Sequence, residues 1–351
     1  MVSPLRFGIL GCGVIGGTHA EAIEGLPDAE LVAVADTNPA AAGKLAGRHG
    51  VTACRDLAEM LERADLDVVT ICTPSGMHGA HAIEVMRSGR HVIVEKPMEI
   101  QAEKLDEMLR VQEETGRKLA VISQRRFDPA SQQVRRLVEE GAFGRLVLGN
   151  AHVLWWRSQQ YYDSGAWRGT WALDGGGALM NQSIHSIDLL LWFMGPVQTV
   201  RAYTDTRVHR MQTEDVAVAA LRFASGALGT IVGTTGAYPG VTTRVEIFGD
   251  RGSAVIESDR LAFLHLARDD AEEAPAYGAA PRGTMDATLA GTVQNPAAVG
   301  SGAHARQIAD MVRAIREDGT PLVDGRAGRL PVQIILAIYD SARTGQEVRL
   351  A

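Results

Sequence analysis

Leu5-Arg-Phe-Gly-Ile-Leu10-Gly11-Cys-Gly13-Val14-Ile15-Gly16 reads as a short apolar strand that breaks into a glycine-spaced turn and then opens a helix. Each glycine answers a separate physical demand. Gly11 permits a tight turn, Gly13 lets backbone approach a pyrophosphate, and Gly16 allows close helix–sheet packing. Val14 and Ile15 begin the helix, whose N-terminal N–H groups and dipole attract phosphate. Twenty residues past Gly16, the run Val32-Ala-Val-Ala-Asp36 ends in an acid. An acid there accepts hydrogen bonds from a ribose 2′-OH and repels a 2′-phosphate. Thr37 and Asn38 follow and bring no Arg, so the reading is NAD, with NADP disfavoured. The competing reading is a plain turn with Asp36 capping the next helix.

Outward from this turn, β-branched runs alternate with amphipathic segments. Leu31–Ala35, Val68–Cys72, His91–Val94 and Leu119–Ser123 read as strands, separated by helices near Pro39–Arg48, Gly79–Ser88 and Gln101–Glu114. This α/β alternation predicts a doubly wound parallel sheet, a Rossmann domain over 1–124. From Gly144 the strands follow one another at short spacing, from Leu146–Val153 to Leu261–Leu266, with helices near Gln182–Phe193, His304–Arg316 and Gly328–Thr344. Residues 125–351 are therefore expected to form a C-terminal α+β domain with a large, mostly antiparallel open sheet, its last helix packing back on the first domain. The Ala-, Gly- and Pro-rich tract between Arg268 and Gly302 reads as a surface insertion.

The chain's 351 residues, 46% apolar and 22% charged, describe an ordinary folded, soluble protein. Its net charge of −7 argues against a nucleic-acid or anionic-membrane surface. Cys12, Cys54 and Cys72 are odd in number and far apart, which suggests neither a disulfide framework nor a zinc site. With no charged leader before the glycine turn and no apolar stretch long enough to span a bilayer, the expected location is cytoplasmic.

Two further motifs carry chemistry. Glu95-Lys96-Pro97 follows the run His91–Val94, so Lys96 stands where an open parallel sheet binds ligands. A lysine acts as a base near neutral pH only where burial and a neighbouring cation lower its affinity for protons. Downstream, Asp174-Gly-Gly-Gly177 leads into a helix on which Asn181, His185 and Asp188 are spaced to share one face. The competing reading is a core histidine held by Asp188. Four of the five tryptophans and two tyrosines fall between Trp155 and Trp171. Their rings suit sugar C–H surfaces, Trp167 among them, and Arg157 and Arg168 suit a carboxylate or phosphate. Trp155 and Trp171 are expected to seal the domain junction, and Arg126 is another anion-binding candidate. His78 and His81 have HxxH spacing but no third ligand nearby, so no metal is expected.

Together, the GxGxxG turn with Asp36, Glu95-Lys96-Pro97 and the Gly-Gly-Gly…Asn181…His185…Asp188 helix resemble the Gfo/Idh/MocA oxidoreductase family. So do Thr73-Pro74…His78, Gln124-Arg-Arg126-Phe and the ending Ala337-Ile-Tyr-Asp-Ser341-Ala-Arg-Thr-Gly345, which extends the likeness over almost the whole chain. The resemblance implies an NAD-dependent enzyme that transfers a hydride to or from a ring hydroxyl or ketone of a sugar, cyclitol or nucleotide-linked sugar. It implies Lys96 and His185 as the catalytic pair, with Thr37, Thr73, Pro74, His78, Glu95 and Gln124 near the cofactor. Many members have Asp where this chain has Asn181, so the proton passes to His185 or to Lys96. The Asn-Gln…His variant is similar to the UDP-N-acetylglucosaminuronate 3-dehydrogenases. A homodimer or homotetramer is expected, because the sheet has a second face to cover. Two other functions are weighed: a glycoside hydrolase that retains NAD through a transient oxidation, and a catalytically silent NAD-binding sensor.

Overall fold

The computed structural model describes residues 3–63, 65–267 and 302–350. They divide into two units, the first drawn from Met1–Phe127, Trp167–Gly176 and Val299–Gln333. The apolar runs of its first third become parallel strands because each is buried on both faces. The order is β1 (Leu5–Leu10), α1 (Val14–Glu24), β2 (Ala29–Ala35), α2 (Pro39–His49), β3 (Thr52–Cys54), α3 (Leu57–Arg63), β4 (Val68–Ile71), α4 (His78–Arg87), β5 (His91–Val94), α5 (Ala102–Thr115) and β6 (Leu119–Val121). The sheet order is β3-β2-β1-β4-β5-β6, the doubly wound arrangement, with its reversal of direction between β1 and β4. The expected Rossmann sheet is present, and it gains β3 and α3, which sequence periodicity had not shown.

Register aligns the strand ends. Ala35, Leu10, Ile71, Val94 and Val121 stand in one row across β2, β1, β4, β5 and β6. The residues just beyond that row include Asp36, Gly11, Thr73, Lys96 and Gln124, so candidates far apart in sequence lie along one carboxyl edge. Helix α9 (Gly302–Arg316) belongs to this unit, and its Ile308, Met311 and Val312 join one apolar core with Ile23 of α1 and Phe7 of β1.

The second unit comprises Asp128–Ala166, Gly177–Ala298 and Ile334–Ala351. It holds α6 (Pro129–Glu139), β7 (Leu146–Leu154), α7 (Gln159–Asp163), a π turn at Ala178–Ser183, α8 (Ile184–Met194), β8 (Val197–Asp205), β9 (Val216–Phe223), β10 (Leu228–Thr234), β11 (Thr243–Gly249), β12 (Gly252–Glu257) and β13 (Arg260–Leu266). Helix α10 (Gly325–Thr344) begins in the first unit and ends in this one, before β14 (Val348–Arg349). The sheet order is β13-β12-β11-β7-β10-β9-β8-β14, antiparallel except that β7 and β10 run parallel. The large, mostly antiparallel sheet is thus as expected.

Helix α8 is nearly all apolar and buries itself against β7 and β11. Gly149 makes room for it: a Cβ there would come within 2.6 Å of Met194 Cγ. Along β9, Ala217, Ala219, Leu221 and Phe223 are buried while Val218, Ala220 and Arg222 are exposed, the alternation of a sheet covered on one face. The tract between Arg268 and Gly302, read as an insertion, lies outside the described residues.

Candidate active site

The glycine turn shows what its residues are for. Gly11 has φ +99°, and a Cβ there would meet Cys72 O at 2.6 Å. A Cβ on Gly16 would collide with Gly11 O, so helix and turn touch directly. At Gly13 a Cβ would meet nothing within 4 Å, so the protein's own packing does not ask for glycine there. A pyrophosphate lying on the backbone does. No side chain caps α1, and Val14 is 90% exposed at its first turn, which leaves the helix's first N–H groups for an anion. The residues present therefore fit a dinucleotide.

Asp36 accepts the Cys12 N–H at Oδ2 (2.8 Å) and the Asn38 N–H at Oδ1 (2.8 Å). It ties the glycine turn to the end of β2. It is not the cap of α2: Asn38 fills that role, accepting from Ala40 N and Ala41 N. Burial, reinforced by Asp36, pushes the Cys12 thiol up to about 12, so the turn carries no thiolate at neutral pH. Thr37 is exposed beside Asp36.

Lys96 stands on a buried clamp. Glu95 is 6% exposed; its Oε2 accepts the Lys96 N–H at 3.1 Å, and its Oε1 lies 3.0 Å from His19 Nε2 and 3.7 Å from His304 Nε2. Burial by itself would raise the Glu95 carboxyl, but the two imidazoles outweigh it and hold the carboxyl well below the usual carboxylate range. The donor atoms are close enough to suit a metal ion. However, Nδ1 of both histidines has no hydrogen-bond partner among the described residues, whereas a metal-ligating imidazole donates its other N–H. The cluster fits a hydrogen-bonded clamp. The Lys96–Pro97 peptide bond is cis.

His78, expected near the cofactor, is 1% exposed and sits between Pro97 O (Nδ1, 2.7 Å) and Thr73 O (Nε2, 2.8 Å). Its ring joins the Thr73-Pro74 loop to the Lys96 loop. Gln124 is 6% exposed, and its Oε1 has no hydrogen-bond partner among the described residues, an acceptor awaiting a donor. Arg126, the other anion-binding candidate, is 4% exposed. The aromatic tract is divided. Trp167, Arg168 and Trp171 belong to the first unit, Arg168 lying over the Trp167 ring at 4.6 Å. Trp171, expected in a seal, is 47% exposed.

In the second unit, every residue from Gly177 through Leu191 is buried except Asn181 and His185. Both are half-buried, so His185 is not a fully buried core histidine. Asp188, expected on the same side, is 1% exposed and turns inward. Gln182 fixes the orientation of Asn181: its Nε2 donates to Asn181 Oδ1 (3.0 Å) and to Tyr161 OH (2.8 Å), and its Oε1 accepts from Arg157 (2.7 Å). Asn181 Oδ1 is thereby held as an acceptor by Gln182. Arg157 lies over both the Trp155 and Tyr161 rings at 5.0 Å, so it is built into the wall as a support for Gln182. His209 holds the segment carrying Arg157, its Nδ1 on Asp215 (3.0 Å) and its Nε2 on Arg157 O (2.8 Å).

Comparison with known proteins supplies the rest. Residues 5–123 match the family model described as oxidoreductase family, NAD-binding Rossmann fold, and residues 131–255 match the GFO/IDH/MocA C-terminal domain. The chain belongs to the Gfo/Idh/MocA oxidoreductase family. Among family members, inositol 2-dehydrogenase of Rhizobium meliloti is 32% identical, with 77% of this chain and 81% of that protein aligned. D-glucoside 3-dehydrogenase of Escherichia coli is 26% identical over 99% of this chain and 98% of that protein. The WlbA dehydrogenase from Bordetella pertussis, solved in complex with NADH and UDP-GlcNAcA, superposes with a TM-score of 0.86 at 36% identity, covering 99% of each chain.

The family motifs led to the glycine turn, Asp36, Lys96, Asn181 and His185. They did not point to His19 or His304. His19 and His304 come together only through the packing of α1 on α9, and no spacing links residues so far apart. Gln182 stood inside the quoted motif, and its neighbour Asn181 was the available signal.

Proposed function

We propose that the protein catalyses NAD-dependent oxidation of a ring secondary hydroxyl, or the reverse reduction, on a sugar, cyclitol or nucleotide-linked sugar acid. The observation that carries this reading is the pair Asn181 and His185, the two residues between Gly177 and Leu191 that are not buried. Residues 1–124 hold the dinucleotide in this reading, and 125–351 take the substrate.

Gly11, Gly13 and Gly16 with the start of α1 hold the pyrophosphate, Asp36 selects an unphosphorylated ribose, and Gln124 Oε1 accepts an amide N–H. When bound, NAD supplies the acceptor for a hydride leaving the carbinol carbon. The protein's own residues manage the proton. Asn181 donates from Nδ2 to the substrate oxygen and orients it, and being neutral it takes no proton. That task falls to Lys96 or His185. The Glu95 clamp keeps the backbone at Lys96 in place, so the base is presented from a rigid loop. Arg126, Arg157, Arg168 and Trp167 supply the cationic and aromatic character that an acidic or nucleotide-linked sugar requires.

The named relatives are dehydrogenases, which favours net oxidation over NAD-retaining hydrolysis or silent sensing. Three unpaired cysteines suit a reducing cytoplasm, and no described helix is long and apolar enough to cross a membrane. The decisive experiment follows NADH across inositols, free aldoses, hexuronates and UDP-hexuronates, with Lys96→Met as control. Turnover that disappears in Lys96→Met while NAD still binds is the expected result. Full activity in the variant would remove Lys96 from the chemistry, and aglycone release without NADH would replace oxidation with hydrolysis.

A further inference from the structure

Thr213-Glu214-Asp215 lies just before β9, and all three residues are 3% exposed or less. Asp215 turns toward His209. Glu214 turns toward the helix that carries Asn181 and His185, and it meets the start of that helix three times. Its Oε2 accepts the Gly177 N–H (3.0 Å), its main-chain oxygen accepts the Ala178 N–H (2.9 Å), and its Oε1 accepts the Leu179 N–H (2.8 Å).

A helix leaves its first N–H groups without internal partners, and they are ordinarily taken by a local cap or by water. Here Gly177 is the capping residue and has no side chain to offer. Three successive donors in a buried segment are all taken by one residue distant in sequence. Gly177 is itself required by this arrangement, because a Cβ there would collide with the Glu214 carbonyl. Tyr339 completes the shell, its hydroxyl donating to Oε1 at 2.9 Å.

We propose that Glu214 is the positioning residue for Asn181 and His185: by holding the first three N–H groups of their helix, it sets the rotation and height at which those side chains are presented. Asn181 stands two residues beyond the last N–H held, and its own N–H makes an early helical bond, to Gly177 O at 3.2 Å. A displacement of the Gly177–Leu179 turn therefore passes to Asn181 and then, one turn on, to His185. The arrangement calls for two acceptor oxygens facing the Gly177 N–H, the Leu179 N–H and the Tyr339 hydroxyl. A glutamine would aim an amide NH₂ at one of the two N–H groups that Oε1 and Oε2 now accept, leaving buried donors face to face. The inference rests on the reading of Asn181 and His185 as the reacting pair.

The test compares Glu214→Gln, Tyr339→Phe and His185→Ala in the full-length protein, using the panel compound that the wild type oxidises. Glu214→Gln is expected to lower kcat roughly tenfold or more with KM for NAD unchanged, and to speed amide exchange at Gly177–Leu179 by a similar factor. Tyr339→Phe deletes one hydroxyl and spares the N–H contacts, so it should give a smaller loss in the same direction. Wild-type kcat and exchange in Glu214→Gln, alongside an inactive His185→Ala, would overturn the inference. So would faster exchange across the whole unit, which marks a general structural role. Full activity in His185→Ala would instead remove the reading beneath it, and the exchange measurement separates the two failures because it needs no substrate.

Discussion

Glu95 and Glu214 are both buried carboxyls, and their surroundings push them in opposite directions. The imidazoles of His19 and His304 hold Glu95 low against its burial. For Glu214 burial prevails over the N–H and Tyr339 hydrogen bonds and raises the carboxyl to about 7. A carboxyl whose folded pKa is raised binds protons more readily folded than unfolded. Its contribution to stability is full below the usual carboxylate range and is lost as pH rises through about 7. Between pH 5 and 8 the wild type should lose up to about 3 kcal/mol relative to Glu214→Gln. Denaturant unfolding at the two pH values measures this, and a slope of opposite sign would show that the hydrogen bonds dominate. Glu95 has the reverse sign: its contribution is present at neutral pH and is lost as pH falls below the usual carboxylate range. At the dinucleotide end, Asp36→Ala should relax the preference for NAD over NADP, read as the ratio of kcat/KM values. An unchanged ratio would leave Asp36 only the task of tying Cys12 to Asn38. Asp36 was legible because its spacing from the glycines is local. Glu214 was not, since nothing in Thr213-Glu-Asp215 says that its partner is a turn 35 residues or more upstream.

At the level of elements, periodicity located α1, α2, α4 and α5 because each carries an apolar stripe that faces the sheet. It missed β3, three residues long at the sheet edge, and α6, whose polar surface obscures its short buried stripe. It also placed Asp188 on the open face, where the π turn and the packing of α8 on β7 turn that side chain inward. Two substitutions test element-level reasoning. Asn38→Ala removes the α2 cap and should cost about 1 kcal/mol in urea unfolding, with no change in NAD affinity. Gly328→Ala exchanges glycine for the better helix former, worth about 1 kcal/mol in an open helix. At this position the new Cβ would collide with Val121, so net destabilisation is expected. A gain in Tm for Gly328→Ala would show that β6 and α10 can separate at little cost.

For the whole molecule, the open face of the eight-stranded sheet is the outstanding surface. Tyr203 and Val218 are register partners on β8 and β9 and are 75% and 47% exposed, an apolar pair of the kind that subunit contacts cover. We propose a homodimer or homotetramer that uses this face. Light scattering on the wild type should give a multiple of 37.6 kDa, and Tyr203→Asp with Val218→Asp should lower it; a monomeric wild type would end that proposal. The sequence by itself determined the α/β order, the dinucleotide turn with its acid, Lys96 beside a strand end, and the Asn181–His185 spacing, because each rests on contacts within a few residues or on a period repeated along one element. Tertiary structure alone decided that His19 and His304 clamp the residue before Lys96, that Gln182 orients Asn181, and that Glu214 holds the helix start. Those contacts join side chains brought together by the packing of separate elements, and no local propensity records which distant donor a buried carboxylate will meet.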